Sequence, residues 1–507
     1  MDTTILLKRG IPNINREQKM KHDNQTTFDQ FVKFTSMYKA IFALILFTTL
    51  RVNAQEVEKW NLQKCVDFAL EHNTSIQQNQ LQGAILSNNL RQSKLSRIPS
   101  LNGSGNHNYN IGRFIDPSTN TFNTSTIQSN SFSLSSGVLL YGGSQVNNTI
   151  KQTKVASDAN EKGTEVIRNQ IAMSVATTYL QIMQAEENLK VADQQLLLSE
   201  DQLKRAQKLV QAGSTNQSTT LNLKAQIAND KVAIINAQNS IQIAYNSLTN
   251  LMQLPLDQAF KIEIIDVTTL PEGPTETVSQ LYEIALGNLP EIQQAKMQIV
   301  RSKLGEKIAS SGLQPSLRAY GSVSTVYSQS GKEAVFTGNY RQILIGATQT
   351  TLEPVISLEP IVDISDKAFK NQLSDNLGQQ VGVSLSIPIF NGYRTKTSLE
   401  NAKLNTQISE LGLDNTKNQL RNDITSAYTN QKAARSRYNA ALTSLDAQKL
   451  NYDFSQKRFD AGMLNSLDLS TAKNQWSQAQ IQLVNSKYEY VFRMLIIDFY
   501  KGNQLKL

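Results

Sequence analysis

The sequence predicts a mixed α/β membrane protein in which one helix–β-hairpin–long helix–return helix unit is written twice. Three observations carry this: landmarks recur in order at fixed spacing, short segments alternate apolar and polar residues, and two very long stretches carry a helical stripe. Ala69-Leu70 with Ile76 recurs as Ala285-Leu286 with Ile292, and Pro99-Ser100-Leu101 as Pro315-Ser316-Leu317, both 216 residues on. Tyr141-Gly142-Gly143 recurs as Phe390-Asn391-Gly392, and Ala212-Gly213 with Asn216 as Ala461-Gly462 with Asn465, now 249 residues on. The spacing grows once, by 33 residues, so the second copy carries one longer loop. Self-similarity in fixed order is the mark of a repeated structural unit.

The chain opens with an address. Lys39, the apolar run from Ala40 to Leu50 and the small-x-small site Val52-Asn53-Ala54 form a secretory signal peptide with Gln55 as the mature start. Residues 1–36 are polar and unpatterned, either a long n-region or sequence upstream of a start at Met37. The first repeat spans 55–252 and begins with an amphipathic helical stretch, 57–98. Strands follow at about 103–113 and 131–141, then a long helix 143–211 and a return helix 216–252. Residues 253–279 contain Pro255, Pro271 and Pro274 and read as a linker with one short strand at 260–265. The second repeat, 280–507, has a helical stretch 280–314, strands at about 317–327 and 379–390, a long helix 393–460 and a return helix 465–501.

The strands alternate with period two. Phe132, Leu134, Val138 and Leu140 oppose Ser131, Ser133, Ser135 and Gly137; Val381, Val383, Leu385, Ile387 and Ile389 oppose Gly382, Ser384 and Ser386. A length of about 10 residues suits a tilted transmembrane strand, and also a half-buried hairpin on a helix. Four strands cannot close a barrel, so strands in lipid require several chains to share one. The connecting loops, 114–130 and 328–378, read as long and polar.

The long helices carry coiled-coil stripes: Ile171, Val175, Thr178, Ile182, Ala185, Leu189, Ala192, Leu196, Ser199, Leu203, Ala206 and Val210 in the first, and Leu420, Ile424, Ala427, Gln431, Ala434, Tyr438, Ala441, Leu445, Gln448, Tyr452, Ser455 and Phe459 in the second. A helix of that length would run about 100 Å, beyond the needs of a globular domain.

Composition narrows the function. Charged residues are only 18% of the 507, against about 25% in an average globular protein, the balance being Asn, Gln, Ser and Thr. No run of about 20 apolar residues follows the signal, which excludes a bundle of membrane helices. The net charge is +8, of which residues 1–54 hold half, and the remaining Lys and Arg are dispersed, so nucleic-acid binding is not expected. The lone Cys65 excludes an internal disulfide framework. His22, His72 and His107 match no ligand spacing, and phosphate-loop, dinucleotide and hydrolase motifs are absent. No enzyme, metal or cofactor is expected.

The signal peptide, the duplicated plan and Arg458-Phe459-Asp460-Ala461-Gly462 resemble the TolC-like outer-membrane efflux proteins; Gly112-Arg113-Phe114-Ile115-Asp116-Pro117 resembles the first outer loop of one branch of that family. The resemblance covers nearly all of 56–507. It implies a homotrimer whose chains contribute four strands each to a 12-stranded barrel in outer-membrane lipid, above an α-helical barrel crossing the periplasm. A periplasmic adaptor would dock at the helical tips and an inner-membrane pump would supply energy. The chain would then be a passive export duct, gated at tips that correspond to Gly213, Ser214, Thr215 and Asn216 and to Gly462, Met463, Leu464 and Asn465. Arg458, Asp460 and Asp468 would pair at the gate, unless they are solvated helix-end charges. The acidic ring of relatives falls on Thr471 here, a departure from the pattern. The alternative is a periplasmic coiled-coil adaptor or scaffold, which would lack membrane strands. N-terminal sequencing of the protein from outer membranes should begin at Gln55; a start at Met1 or Met37 would overturn the signal assignment.

Overall fold

A computed structural model describes residues 59–116, 120–124, 126–255, 260–265, 270 and 272–503. The signal peptide and its cleavage site lie outside these residues. The chain divides into two units. In the smaller, Lys59–Trp60 pairs in parallel with Lys261–Ile262, and the Trp60 and Phe260 rings lie 5.5 Å apart.

The larger unit contains all other elements. Helices α1 (Leu62–His72) and α2 (Thr74–Leu95) are separated at Asn73, whose side chain caps α2 by accepting from the Ser75 N–H at 2.9 Å. Strands β1 (Ser100–Asn110) and β2 (Ile127–Gly142) lead into α3 (Gln145–Gln211, 67 residues) and α4 (Ser218–Met252). The order then recurs as α5 (Val278–Asn288), α6 (Pro290–Ser311), β3 (Ser316–Ser328), an inserted segment, β6 (Gly378–Ser386), α8 (Arg394–Asp460, 67 residues) and α9 (Ser466–Lys501). The insertion holds β4 (Lys332–Ala347), β5 (Pro354–Asp366) and the short α7 (Phe369–Asp375). Among the described residues no helix is long and apolar enough to cross a membrane.

Each long helix starts from two consecutive left-handed residues, Gly143-Ser144 and Gly392-Tyr393. This pair swings the chain abruptly from strand to helix, and a Cβ on Gly143 would stand 2.8 Å from the Gln314 side chain. One apolar core joins α5, α6, α8 and α9 through Leu281, Ala285, Ile292, Leu420, Ile424 and Ile497. Cys65 is buried on α1, which pushes its thiol up to about 12 and leaves it unreactive.

The sheet is antiparallel in the order β6-β3-β2-β1. Its register places Leu101, Phe132, Leu134, Val323, Val381, Val383 and Leu385 on one face, and Asn102, Ser104, Asn106, Ser131, Ser133, Ser322, Ser324 and Ser384 on the other. Hydroxyl and amide contacts cross the polar face, such as Ser104–Ser133 at 2.7 Å. Three expectations need correction. Strand β1 lies three residues earlier than 103–113, ending before Gly112 at φ 109°. Strand β6 stops at Ser386, because Pro388 has no N–H for the ladder, so Ile387 and Ile389 fall outside it. A bulge between Leu139 and Tyr141 puts Tyr141 opposite Leu317, so Leu140 drops out of the apolar face.

The 328–378 segment is not the polar loop expected. Strands β4 and β5 form a long two-stranded hairpin. Its base is fixed by buried polar contacts. The Gln372 amide donates to the Ser328 and Lys367 carbonyls at 3.0 and 2.9 Å and accepts from the Ser328 N–H at 3.0 Å. Asp116, fully buried, accepts from the Ser328 and Ser330 hydroxyls. Likewise, within 114–130, Phe114–Ile115 pairs with Phe122–Asn123. Gln372→Ala should strand the Ser328 N–H and two carbonyls at a cost of about 1–3 kcal/mol. The expected readout is faster trypsin cleavage after Lys332 and Lys367 in the purified protein; unchanged cleavage would count against this anchor.

Candidate functional site

The two helix ends have the same geometry. Gly213 (φ 70°) donates to the Val210 carbonyl at 3.0 Å and Ser214 to Leu209 at 2.8 Å; Gly462 (φ 73°) donates to Phe459 at 2.9 Å and Met463 to Arg458 at 2.8 Å. In both, glycine supplies the left-handed residue that lets the next two N–H groups close the last helical turn. Asn216 accepts from the Ser218 N–H at 3.2 Å. Thr215 and Thr219 hydroxyls lie 3.3 Å apart. Asn465 caps α9 by accepting from the Asp468 N–H at 2.9 Å, and its amide donates back to the Asp468 carboxylate at 2.9 Å.

The charged candidates separate. Asp468 serves the cap of its own helix. Asp460 faces Arg205 of α3 at 3.6 Å, with Arg205 also paired to Asp201 at 2.7 Å. Arg458 is exposed and makes no ion pair among the described residues. Met463 is exposed, while Leu464 is half-buried beside Tyr452, Phe459 and Leu469. Leu209 of α3 joins that cluster, and Trp476 stacks on Tyr452 with centroids 4.9 Å apart. An exposed pair such as Arg205–Asp460 contributes about 0–1 kcal/mol, so the apolar cluster holds the α3 and α8 ends together more than the charges do.

Above the ends, contacts within a hairpin and between hairpins differ in kind. The α8–α9 contact is mainly apolar, through Ala434, Tyr490 and Met494 and then Tyr452, Phe459 and Leu469, with the Arg437–Glu489 pair at 2.6 Å on its exposed side. Where α3 and α4 meet α8 and α9 the contact is a ladder of amides: Gln184 to Asn485 at 2.7 Å, Gln195 to Gln480 at 2.6 Å, Gln202 to the Tyr452 hydroxyl at 3.0 Å, and Gln226 to Asn474 at 3.2 Å. Lys487 pairs with Glu187 at 2.6 Å. The side-chain oxygens of Asn188, Gln195 and Gln202, seven residues apart on α3, are buried without a hydrogen-bond partner among the described residues.

At the centre of this seam is a buried charge that the sequence reading missed. The Lys473 side chain is 1% exposed. Its ammonium donates to the Gln195 carbonyl at 2.8 Å, to the Asp230 carboxylate at 2.8 Å and to the Ser199 hydroxyl, which in turn donates to Asp230. Three helices, α3, α4 and α9, thus meet on one cation. Burial holds this lysine below its usual 10.5, and Asp230 opposes part of that fall. A lysine at position 473 reads in sequence as a solvated helix face; only its partner 243 residues away reveals the role.

The model of the family described as Outer membrane efflux protein matches residues 66–252 and 281–493. The outer membrane efflux protein BepC of Brucella suis biovar 1 is 20% identical over 462 residues, 91% of this chain and 90% of that protein. The alkaline protease secretion protein AprF of Pseudomonas aeruginosa is 21% identical over 339 residues, 66% of this chain and 61% of its own. Among solved structures, the outer membrane protein VceC of Vibrio cholerae superposes with a TM-score of 0.69 at 16% identity, over 88% of this chain and 97% of that one. The Campylobacter jejuni CmeC outer membrane channel gives 0.68 at 18% identity, over 88% and 87%. These likenesses establish the fold of the chain.

Lys473→Ala should lower stability by about 3 kcal/mol, because it leaves the Asp230 carboxylate buried without its cation. Lys473→Met with Asp230→Leu should recover most of that loss in thermal melts of detergent-purified protein. The depressed lysine gives up its proton in the folded state before the unfolded chain does, so this site's contribution rises with pH from the lowered value up to 10.5. Lys473→Met should flatten that rise; an unchanged alkaline profile would contradict the burial of the charge.

Proposed function

Because the chain belongs to the outer membrane efflux protein family, we propose that this outer-membrane protein is the passive duct of a tripartite efflux or secretion system, gated at its periplasmic helix ends. Three copies share one barrel of 12 strands, each giving the four-stranded sheet. The Val381, Val383 and Leu385 face meets lipid and the Ser and Asn face lines the water path. Below it, helices of 67 residues, about 100 Å long, form the wall of a periplasmic tunnel. A periplasmic adaptor docks at the Gly213 and Gly462 turns, and an inner-membrane pump supplies the energy.

The observation that carries this reading is the join, in one chain, of an amphipathic sheet with two free edges to helical hairpins of that length. A soluble adaptor or scaffold has no use for an apolar sheet face. In this reading the gate lies where the hairpins part most easily. Apolar contacts and the Arg437–Glu489 pair hold α8 to α9, whereas above the Leu209 cluster amides and the Lys473–Asp230 and Lys487–Glu187 pairs hold that hairpin to α3 and α4. Water replaces amide partners at little net cost, since a typical hydrogen bond contributes only about 1 kcal/mol.

Native mass spectrometry of protein gently extracted from outer membranes should give three mature chains; a monomer from the soluble periplasm would sink the shared barrel. Gly462→Pro, which cannot adopt the positive φ, and Gly213→Trp should abolish export while trimers persist in the membrane. Export at wild-type rate by a correctly inserted tip variant would refute docking there. Asp230→Asn should raise single-channel conductance in planar bilayers severalfold, because the closed seam loses its charge pair; wild-type conductance would place the gate elsewhere.

A further inference from the structure

The hairpin β4–β5 is too exposed to be a finished structure. A two-stranded hairpin is at best marginally stable in water, yet this one has strands of 16 and 13 residues. Its register puts Phe336, Tyr340, Leu344, Leu358, Val362 and Ile364 on a single face, all of them exposed in the single chain. The opposite face is mixed, with Glu333, Ser357, Asp363, Ser365 and the Arg341–Glu359 pair at 2.6 Å interleaved with Val335, Ile343 and Ile361. Such a continuous apolar face marks a covered surface. The base, by contrast, is held rigidly by Gln372 and Asp116, so the face is presented in a fixed direction.

The sheet order says what stands beside it. The hairpin leaves from β3 and returns through α7 into β6, a free edge of the sheet. The other free edge, β1, runs directly into the turn that contains Ile111, Ile115 and Phe122, also exposed. Within one chain the turn meets the base of the hairpin, where Asp116 bonds Ser328 and Ser330. When β6 of one copy pairs with β1 of the next, the hairpin and that copy's turn rise from strands about 4.8 Å apart. We propose that the apolar face of β4–β5 is a subunit interface, covering the Ile111–Phe122 turn of the next copy of this chain and locking the outer rim of the barrel. This rests on the shared-barrel reading.

The test is disulfide formation between two single-cysteine chains. Leu358→Cys and Ile115→Cys proteins are expressed together, with the native Cys65 buried and silent, and intact cells are oxidised with copper phenanthroline. A dimer containing one chain of each kind supports the interface. A control pairs Val383→Cys on β6 with cysteines stepped along β1 from Leu101 to Tyr109. If the control links and the hairpin does not, or the hairpin cysteine links instead to a different protein, the interface is overturned and the shared barrel stands. If neither links, the barrel reading itself fails. In addition, Leu358→Asp with Val362→Asp should lower the temperature at which the oligomer dissociates on semi-native gels; an unchanged temperature would also overturn the proposal.

Discussion

The unpaired backbone along β1 and β6 is the constraint on which the rest depends. Four strands with an apolar face leave two rows of N–H and C=O groups without partners, and hydrocarbon offers none. In the proposed barrel, other copies of the same edges satisfy them. The long helices must then leave the sheet in one direction, and this is why each begins at an abrupt left-handed pair, Gly143-Ser144 and Gly392-Tyr393.

Below the sheet the chain separates cohesion from adjustability. Residues that hold α8 to α9 are apolar and interlocked, with Tyr452 stacked on Trp476 and Phe459 packed against Leu469. Residues that hold one hairpin to the other above the Leu209 cluster are mainly amides, with the Lys473–Asp230 and Lys487–Glu187 pairs. Burial of apolar area contributes in proportion to contact and is lost only when the surfaces separate. Amide pairs exchange with water. The same helix α3 presents both chemistries on different faces, since Val175 and Ile182 are buried in the apolar stripe while Gln195 and Gln202 meet the second hairpin.

Much of this was legible because periodicity survives without knowledge of the fold. The stripe from Leu420 to Phe459 is buried or half-buried at every position named, and the alternation through Val381, Val383 and Leu385 lies in register across β6 and β3. Periodicity also misled, since Ile387 and Ile389 keep the beat of two past Pro388, where the ladder cannot follow. In the inserted hairpin Pro360, Gly338 and the Thr348–Thr351 turn masked a regular alternation of Ile356, Leu358, Val362 and Ile364 that was there to be counted. The candidate site was less legible. Asn465 and Asp468 are neighbours in sequence and announce a cap, but Arg205 opposite Asp460 and Asp230 opposite Lys473 are brought together by the packing of two hairpins, and charge alone does not name its partner.

The orphaned oxygens of Asn188, Gln195 and Gln202 have a consequence for how such a molecule changes over generations. In the proposed gate, a seam already short of hydrogen-bond donors has little enthalpy to lose on hydration, so its threshold for parting would rest disproportionately on the most deeply buried cation, Lys473. A trait concentrated in one codon is easily retuned. Lineages carrying this architecture could shift the balance between a tight and a permissive duct by substitution at Lys473, Asp230 or Ser199, leaving barrel, rim and docking turns untouched.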